Sequence, residues 1–298
     1  MGNPNVMFNN FNLYNQKSYN KEDFKNQMNA LRESMHVISK RELGKVMSNM
    51  NELADYLKIQ AKFNLYSVNN CLLIKGQMPN ATVFRDKEGW KKAGFKVIRP
   101  DKGFNIFESE RNISDDGKVG VYFNPKEVFD IVYTDFPLQN IDIQKPEQKD
   151  VLSSLVGSRP VNFLPVERIE GSEKNALYDK EKNCIYVVKG AEVNALIQDL
   201  VYEEAKMFMM EKGYDENATR FNALCISYMF CCKNGVDFPK GEFSKIENQF
   251  STMEAEEVKK ELNTVRDTFE TINSRVVEYS KQNKKIKSKY DRRSLYEE

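Results

Sequence analysis

The sequence carries a single histidine, His36, and that scarcity excludes more than any feature it possesses. A site built on two imidazoles cannot assemble within one copy of the chain. Cysteine is also sparse: five residues, Cys71, Cys184, Cys225, Cys231 and Cys232, an odd number with no C-x-x-C pair. That argues against zinc ribbons and disulfide frameworks and for a reducing, cytoplasmic setting. No apolar run reaches the length of a membrane span, so a membrane is not expected as a partner. The opening MGNPNVMFNN lacks the apolar core of a signal peptide, and Val6 stands where a myristoylation signal needs Ser or Thr. The net charge is only +1, so a hold on nucleic acid has to come from a local patch.

What is present divides along the chain. Residues 1–20 hold seven asparagines and read as disordered. Residues 21–136 begin with a helical pattern (Leu31, Met35, Ile38, then Leu43, Val46, Met50, Leu53 and Leu57), with Gly44 as the expected break between two helices. A second short helix over 63–78 ends at Gly76 and Pro79. Strand-like stretches follow, "TVF", "KVIR", "FNIFES" and two in "GVYFNPKEVFDIVYT". Residues 137–150 are polar, with two prolines, and read as a linker. Residues 151–250 combine strand-like "VNFLPVE", a hairpin in "ALYDKEKNCIYV" and two amphipathic helices, the second ending at Gly235. Over 251–298, Val258, Leu262, Val265, Phe269, Ile272, Val276 and Tyr279 step by alternating fours and threes. That is a heptad seam, able to recruit a second copy or another protein, or to lie on the chain's own body. The tail 281–293 is basic, a solvated helix end or a phosphate contact. The fold class expected is α+β with a long C-terminal helix.

One segment concentrates charge. Ten Lys or Arg stand against five acids between Asp55 and Glu108, interleaved with Tyr66, Phe84, Trp90, Phe95, Phe104 and Phe107. Cations track phosphates while planar rings stack on unpaired bases, which is the mix a single-strand binder needs. The candidate contacts are Lys75, Arg85, Lys91, Lys92, Lys96, Arg99 and Lys102 for phosphate, Trp90 and Tyr66 for stacking, and Asn70 for polar contact. The plainer reading is a small domain whose rings, Trp90 included, form its core and whose lysines are solvated.

The order of residues adds to this. "FNLYSVNNCLLIKGQMPNATVFRDKEGWKKAGFKVIRPDKGFNIF" resembles the N-terminal domain of the ArdC-like antirestriction and LtrC-like family. The matching residues are Tyr66, Ser67, Asn70, Leu72, Leu73, Ile74, Pro79, Ala81, Thr82, Trp90, Gly94, Val97 and Gly103, and "VFDIVYTD" matches a later segment. The resemblance implies a domain over 21–136 that binds single-stranded DNA, in a conjugative or antirestriction setting. It further implies a zincin-like α+β metallopeptidase domain over 151–250. There "ALIQDLVYEEAKMFM" takes the place of the active helix, and Tyr228, Cys231, Gly235 and Asp237 match the end of the next helix.

The metal chemistry is absent at each ligand. In H-E-x-x-H the two histidines sit one helical turn apart and aim at one zinc, while the glutamate activates water. Here Tyr202 and Lys206 hold the histidine positions, Glu203 remains, and the third ligand falls at Asn222 or Leu224. A lysine ammonium repels a metal, and a lone phenol is a poor ligand. No metal, cofactor or peptidase activity is expected. On the plain reading Glu203 is a helix-surface acid; on the other, Lys206 fills the vacated position by contacting Glu203 or Tyr202. Two competing functions remain open: a peptidase with unusual ligands, and an interaction protein using the heptad helix.

Overall fold

The computed structural model describes residues 21–113, 119–138, 145–238 and 247–294. The asparagine-rich start and part of the expected linker lie outside the described residues. So do the side chains of the basic tail from residue 284 onward. The architecture is α+β, with two compact units that do not follow sequence order. The first comprises residues up to Glu42 and Leu72–Asp142; the second comprises Leu43–Cys71 and Ile143–Glu298. Tyr66 and Asn70 therefore belong to the second unit, and the other candidate DNA contacts to the first.

Helix α1 (Lys21–Ser48) runs through Gly44 without a break. The interruption comes at Asn49 instead, whose side chain accepts the N–H groups of Asn51 and Glu52 and caps α2 (Met50–Lys62). An N-cap that satisfies two orphan donors marks a boundary better than a mid-helix glycine, which costs only about 1 kcal/mol. Helix α3 (Val68–Gln77) follows.

In the first unit, β1 (Phe84–Arg85), β2 (Phe104–Ile113) and β3 (Val119–Asp130) form an antiparallel sheet in the order β1-β3-β2. Strand β3 is a single strand where two were expected, with Pro125 opposite Phe107. "KVIR" contributes only a bridge between Val97 and Thr134. The short helix α4 (Lys87–Lys92) is capped by Asp86 and delivers Trp90 to the interior. Helix α1 meets the sheet through Arg32, which donates to Asn124 Oδ1 at 2.6 Å, and through His36, stacked on Phe107 at 5.3 Å. Gln77 of α3 exchanges two hydrogen bonds with the Asn105 backbone, at 2.8 and 3.1 Å.

In the second unit, β4 (Asn162–Val166) runs parallel to β6 (Cys184–Val188), and β5 (Ala176–Asp179) pairs antiparallel on its other side. The β5–β6 hairpin is the expected one, and Asn183 takes its left-handed position at φ 47°. Around this sheet are α5 (Gln148–Gly157), α6 (Val193–Glu211), α7 (Glu216–Asn234) and α8 (Ala255–Ser294). Gly235 ends α7 at φ 68°, as its sequence position predicts. Cys71, Cys225 and Cys231 are buried in the apolar interior, which pushes their thiols well above the ordinary range and leaves them unreactive.

The heptad seam lies on the chain's own body. Val258, Leu262, Val265, Phe269, Ile272 and Val276 are buried, and α8 packs on α5, α6 and α7. Tyr279 closes against Gly157, where a Cβ would collide with the ring. Of the two arrangements its spacing allowed, a second chain or the chain's own body, the seam Val258–Tyr279 takes the second. The spacing identified the buried stripe but not what covers it.

Candidate functional site

Two places in the molecule gather chemistry. The first is the region of the basic, aromatic segment that lies in the first unit.

Trp90 is no stacking platform. It is 3% exposed, its indole N–H donates to the Phe129 carbonyl at 2.7 Å, and Phe129, Ile131, Phe95, Val97 and Phe136 pack with it. A ring that is walled in and hydrogen-bonded has no free face for a base. Lys75 is likewise removed from the candidate surface. Its ammonium is buried and lies 3.0 Å from Glu42 of α1, so it neutralises a buried carboxylate and not a phosphate. In the second unit, Asn70 is buried near the start of α3, where its backbone N–H reaches the Ser67 hydroxyl. Tyr66 is half-buried, edge-on to Phe63.

The remaining cations are exposed. Arg99 and Lys102 are engaged by Asp101: the guanidinium forms two bonds of 3.0 Å and the ammonium stands at 3.7 Å. The arginine holds the Asp101 carboxyl down at about 2. Arg85, Lys91, Lys92 and Lys96 are exposed, and no salt bridge among the described residues involves them. Arg85 also lies over the Trp90 ring, 5.6 Å from its centroid. Burial selects among the sequence candidates: four lysines and arginines around α4 are left available to an anion.

The second place is on α6. Its N-terminus is capped by Glu192 and its buried face, Leu196, Ile197, Leu200, Val201 and Ala205, sits in the interior. Glu203 lies on that inner side and is 0% exposed, so it is not a surface acid. The ammonium of Lys206 stands 2.8 Å from Oε2, and that of Lys174 stands 3.0 Å from Oε1. The Tyr178 N–H of β5 donates to Oε2 at 3.1 Å. Lys174 also sits over the Tyr202 ring, 4.1 Å from its centroid, with Lys206 at 5.7 Å. Tyr202 is kept protonated: burial first, then the Glu203 charge, pushes its phenol up to about 12. Tyr202, Glu203 and Lys206 thus come together, joined by Lys174, which nothing in its local sequence singles out. Asn222 and Leu224 do not join them. Asn222 donates to Glu261 Oε2 of α8 at 2.9 Å, and Leu224 is in the apolar core.

These residues do not fit a divalent metal. Both oxygens of Glu203 are taken by cations, and the flanking groups are an ammonium and a neutral phenol. Among the described residues no three His, Cys, Asp or Glu converge as a ligand set.

The next residue on the helix behaves differently. Glu204 is fully buried and pairs with Arg275 of α8, which also donates to the Ser158 carbonyl at 2.7 Å; Glu204 Oε1 has no partner. Burial raises its carboxyl from 4.5 to about 7, against the pull of Arg275. The folded form therefore holds this proton more tightly than the unfolded chain does. Its contribution to stability is fully present below about pH 4.5 and is lost as pH rises through about 7, on the order of 3 kcal/mol. Urea melts at pH 5 and pH 8, compared between the parent and Glu204→Gln, measure it: the variant is expected to lose this falling component.

Neither protein-family models nor curated proteins match the chain. Among solved structures, the Mn(II)-bound antirestriction ArdC protein from plasmid R388 aligns with a TM-score of 0.53 at 12% identity, over 81% of this chain and 97% of that one. Its metal-free structure aligns at 0.49 and 14% identity, over 73% and 86% of the two chains. The chain has the fold of the ArdC antirestriction protein.

Proposed function

We propose that this chain binds single-stranded DNA without marked sequence preference in the setting of a mobile genetic element, and that its second unit is a metallopeptidase-like body without peptidase activity. The observation that carries the reading is the set of exposed cations, Arg85, Lys91, Lys92 and Lys96, with no salt bridge among the described residues, in a chain of net charge +1. Cations left unpaired at a surface are available to replace the counterions of a phosphate backbone. The shared fold with an antirestriction protein of a plasmid supports the setting. So does the resemblance of the segment around Trp90 to the family's DNA-binding domain. Loss of catalysis is supported by Glu203, whose two oxygens accept from Lys174, Lys206 and the Tyr178 N–H. A carboxylate tied to two ammonium groups and a backbone N–H is poorly placed to serve as a general base for water.

Charge reversal tests the DNA reading. Lys91→Glu with Lys92→Glu is expected to weaken binding of a labelled oligonucleotide by about ten- to a hundredfold at low salt and to flatten its salt dependence. Fluorescence anisotropy at two salt concentrations is the measurement, and unchanged binding would remove α4 from the interface.

A further inference from the structure

The burial of Trp90 leaves the cations without the ring expected to contact bases, and the structure supplies a different apolar surface beside them. The exposed aliphatic side chains of the first unit include Val83 at 48%, Ile98 at 57% and Val132 at 39%. The backbone brings them to one place. The Val83 carbonyl accepts from the Ile131 N–H at 2.8 Å, and the Tyr133 carbonyl accepts from the Ile98 N–H at 2.9 Å. Val132 lies between those two acceptor and donor positions. The frame is fixed from below. Asp130, 0% exposed, accepts from the Thr82 hydroxyl at 2.9 Å and from the Val132 N–H at 3.2 Å. Val97 and Ile131 pack into the Trp90 cluster.

A cation stands two residues from each flanking aliphatic. Val83 and Arg85 are exposed with buried Phe84 between them, and Lys96 and Ile98 are exposed with partly buried Val97 between them. Of the acids nearby, Asp135 accepts the Lys96 backbone N–H at 2.7 Å, and Asp101 is held by Arg99. A surface that alternates rigid aliphatic contact with positive charge complements a chain that alternates flat uncharged bases with phosphates. In a duplex the base faces are stacked away, so only an unpaired strand offers both.

We infer that the Val83–Ile98–Val132 surface, flanked by Arg85 and Lys96, is where the bases of an unpaired nucleic-acid strand rest. This rests on the proposed single-strand binding and names the part of the surface that distinguishes a nucleic acid from any other polyanion. The aliphatics contribute affinity through the bases, and the cations contribute the salt dependence.

The test compares the full-length parent with Ile98→Ser/Val132→Ser, titrated into labelled oligothymidylate and into an abasic strand of the same length, at two salt concentrations. The double variant is expected to bind oligothymidylate about tenfold more weakly at each salt, with the parent's salt slope. Its affinity for the abasic strand is expected to match the parent's, which also shows that the variant is folded. The inference is overturned if the variant holds oligothymidylate as the parent does. Equal losses on both strands overturn it too, as does a parent that binds both strands equally. A parent that binds neither strand defeats the single-strand reading and this inference together. A parent that binds, loses affinity on charge reversal at Lys91 and Lys92, and ignores the serine substitutions defeats the inference alone.

Discussion

Lys174→Met combined with Lys206→Met is expected to lower the unfolding free energy by about 4 kcal/mol, although neither lysine is itself fully buried. The side chains retain 41% and 21% of their exposure, while the Glu203 they serve has none. Methionine keeps the length of each stem but removes its charge. What remains is a buried carboxylate with the Tyr178 N–H as its partner at Oε2, and an uncompensated buried charge is among the costliest defects a fold can carry. The asymmetry is the informative part. Glu203→Gln should cost only about 1 kcal/mol, because the amide oxygen still accepts from Tyr178 and the lysines can turn toward water. Adding Glu203→Gln to the lysine pair should restore most of the loss, giving a large coupling energy in the cycle. Denaturant melts of the four proteins measure this. A lysine pair that can be removed without loss would mean that the ammonium groups do not stabilise Glu203.

Trp90→Ala is expected to destabilise the first unit by about 4 kcal/mol. The indole fills the centre of a cluster with Phe129 and Ile131, and its N–H satisfies the Phe129 carbonyl. Alanine leaves a cavity and an unpaired buried acceptor, whose costs add. Trp90→Phe should cost less, since it keeps most of the ring while losing the donor. Trp90 is the only tryptophan, so its emission reports this unit directly. It should be blue-shifted in the folded protein and should keep its emission maximum when a saturating oligonucleotide is added. A large shift on binding, or a near-neutral Trp90→Ala, would return Trp90 to the surface and reopen its role as a stacking residue.

These two results bear on how much of the molecule its sequence discloses. Periodicity located the long helices α1–α3 and α6–α8, the β5–β6 hairpin and the stripe on α8, because apolar spacing records which side of an element is covered; it missed the short α4 and α5. It could not name the cover, so the α8 seam suited a second copy as well as it suited α5 and α7. Composition gathered the cations of the first unit but could not sort them. Lys75 and Lys91 look alike in sequence; one is consumed by Glu42, thirty-three positions away, and the other stands exposed. The same holds at α6. That Tyr202, Glu203 and Lys206 share one turn of a helix was legible. That Lys174 would supply a second cation was not, because it arrives from the loop before β5. Three exposed aliphatics drew no notice in sequence, since single Val and Ile residues carry no signal until the fold sets them side by side.

The most direct test of the account is the affinity of the unmodified protein for single-stranded against double-stranded oligonucleotides of equal length, by anisotropy across a salt series. The account predicts preference for the single strand and a steep loss of affinity as salt rises. Equal affinity for both forms, or no binding even in dilute buffer, would contradict it.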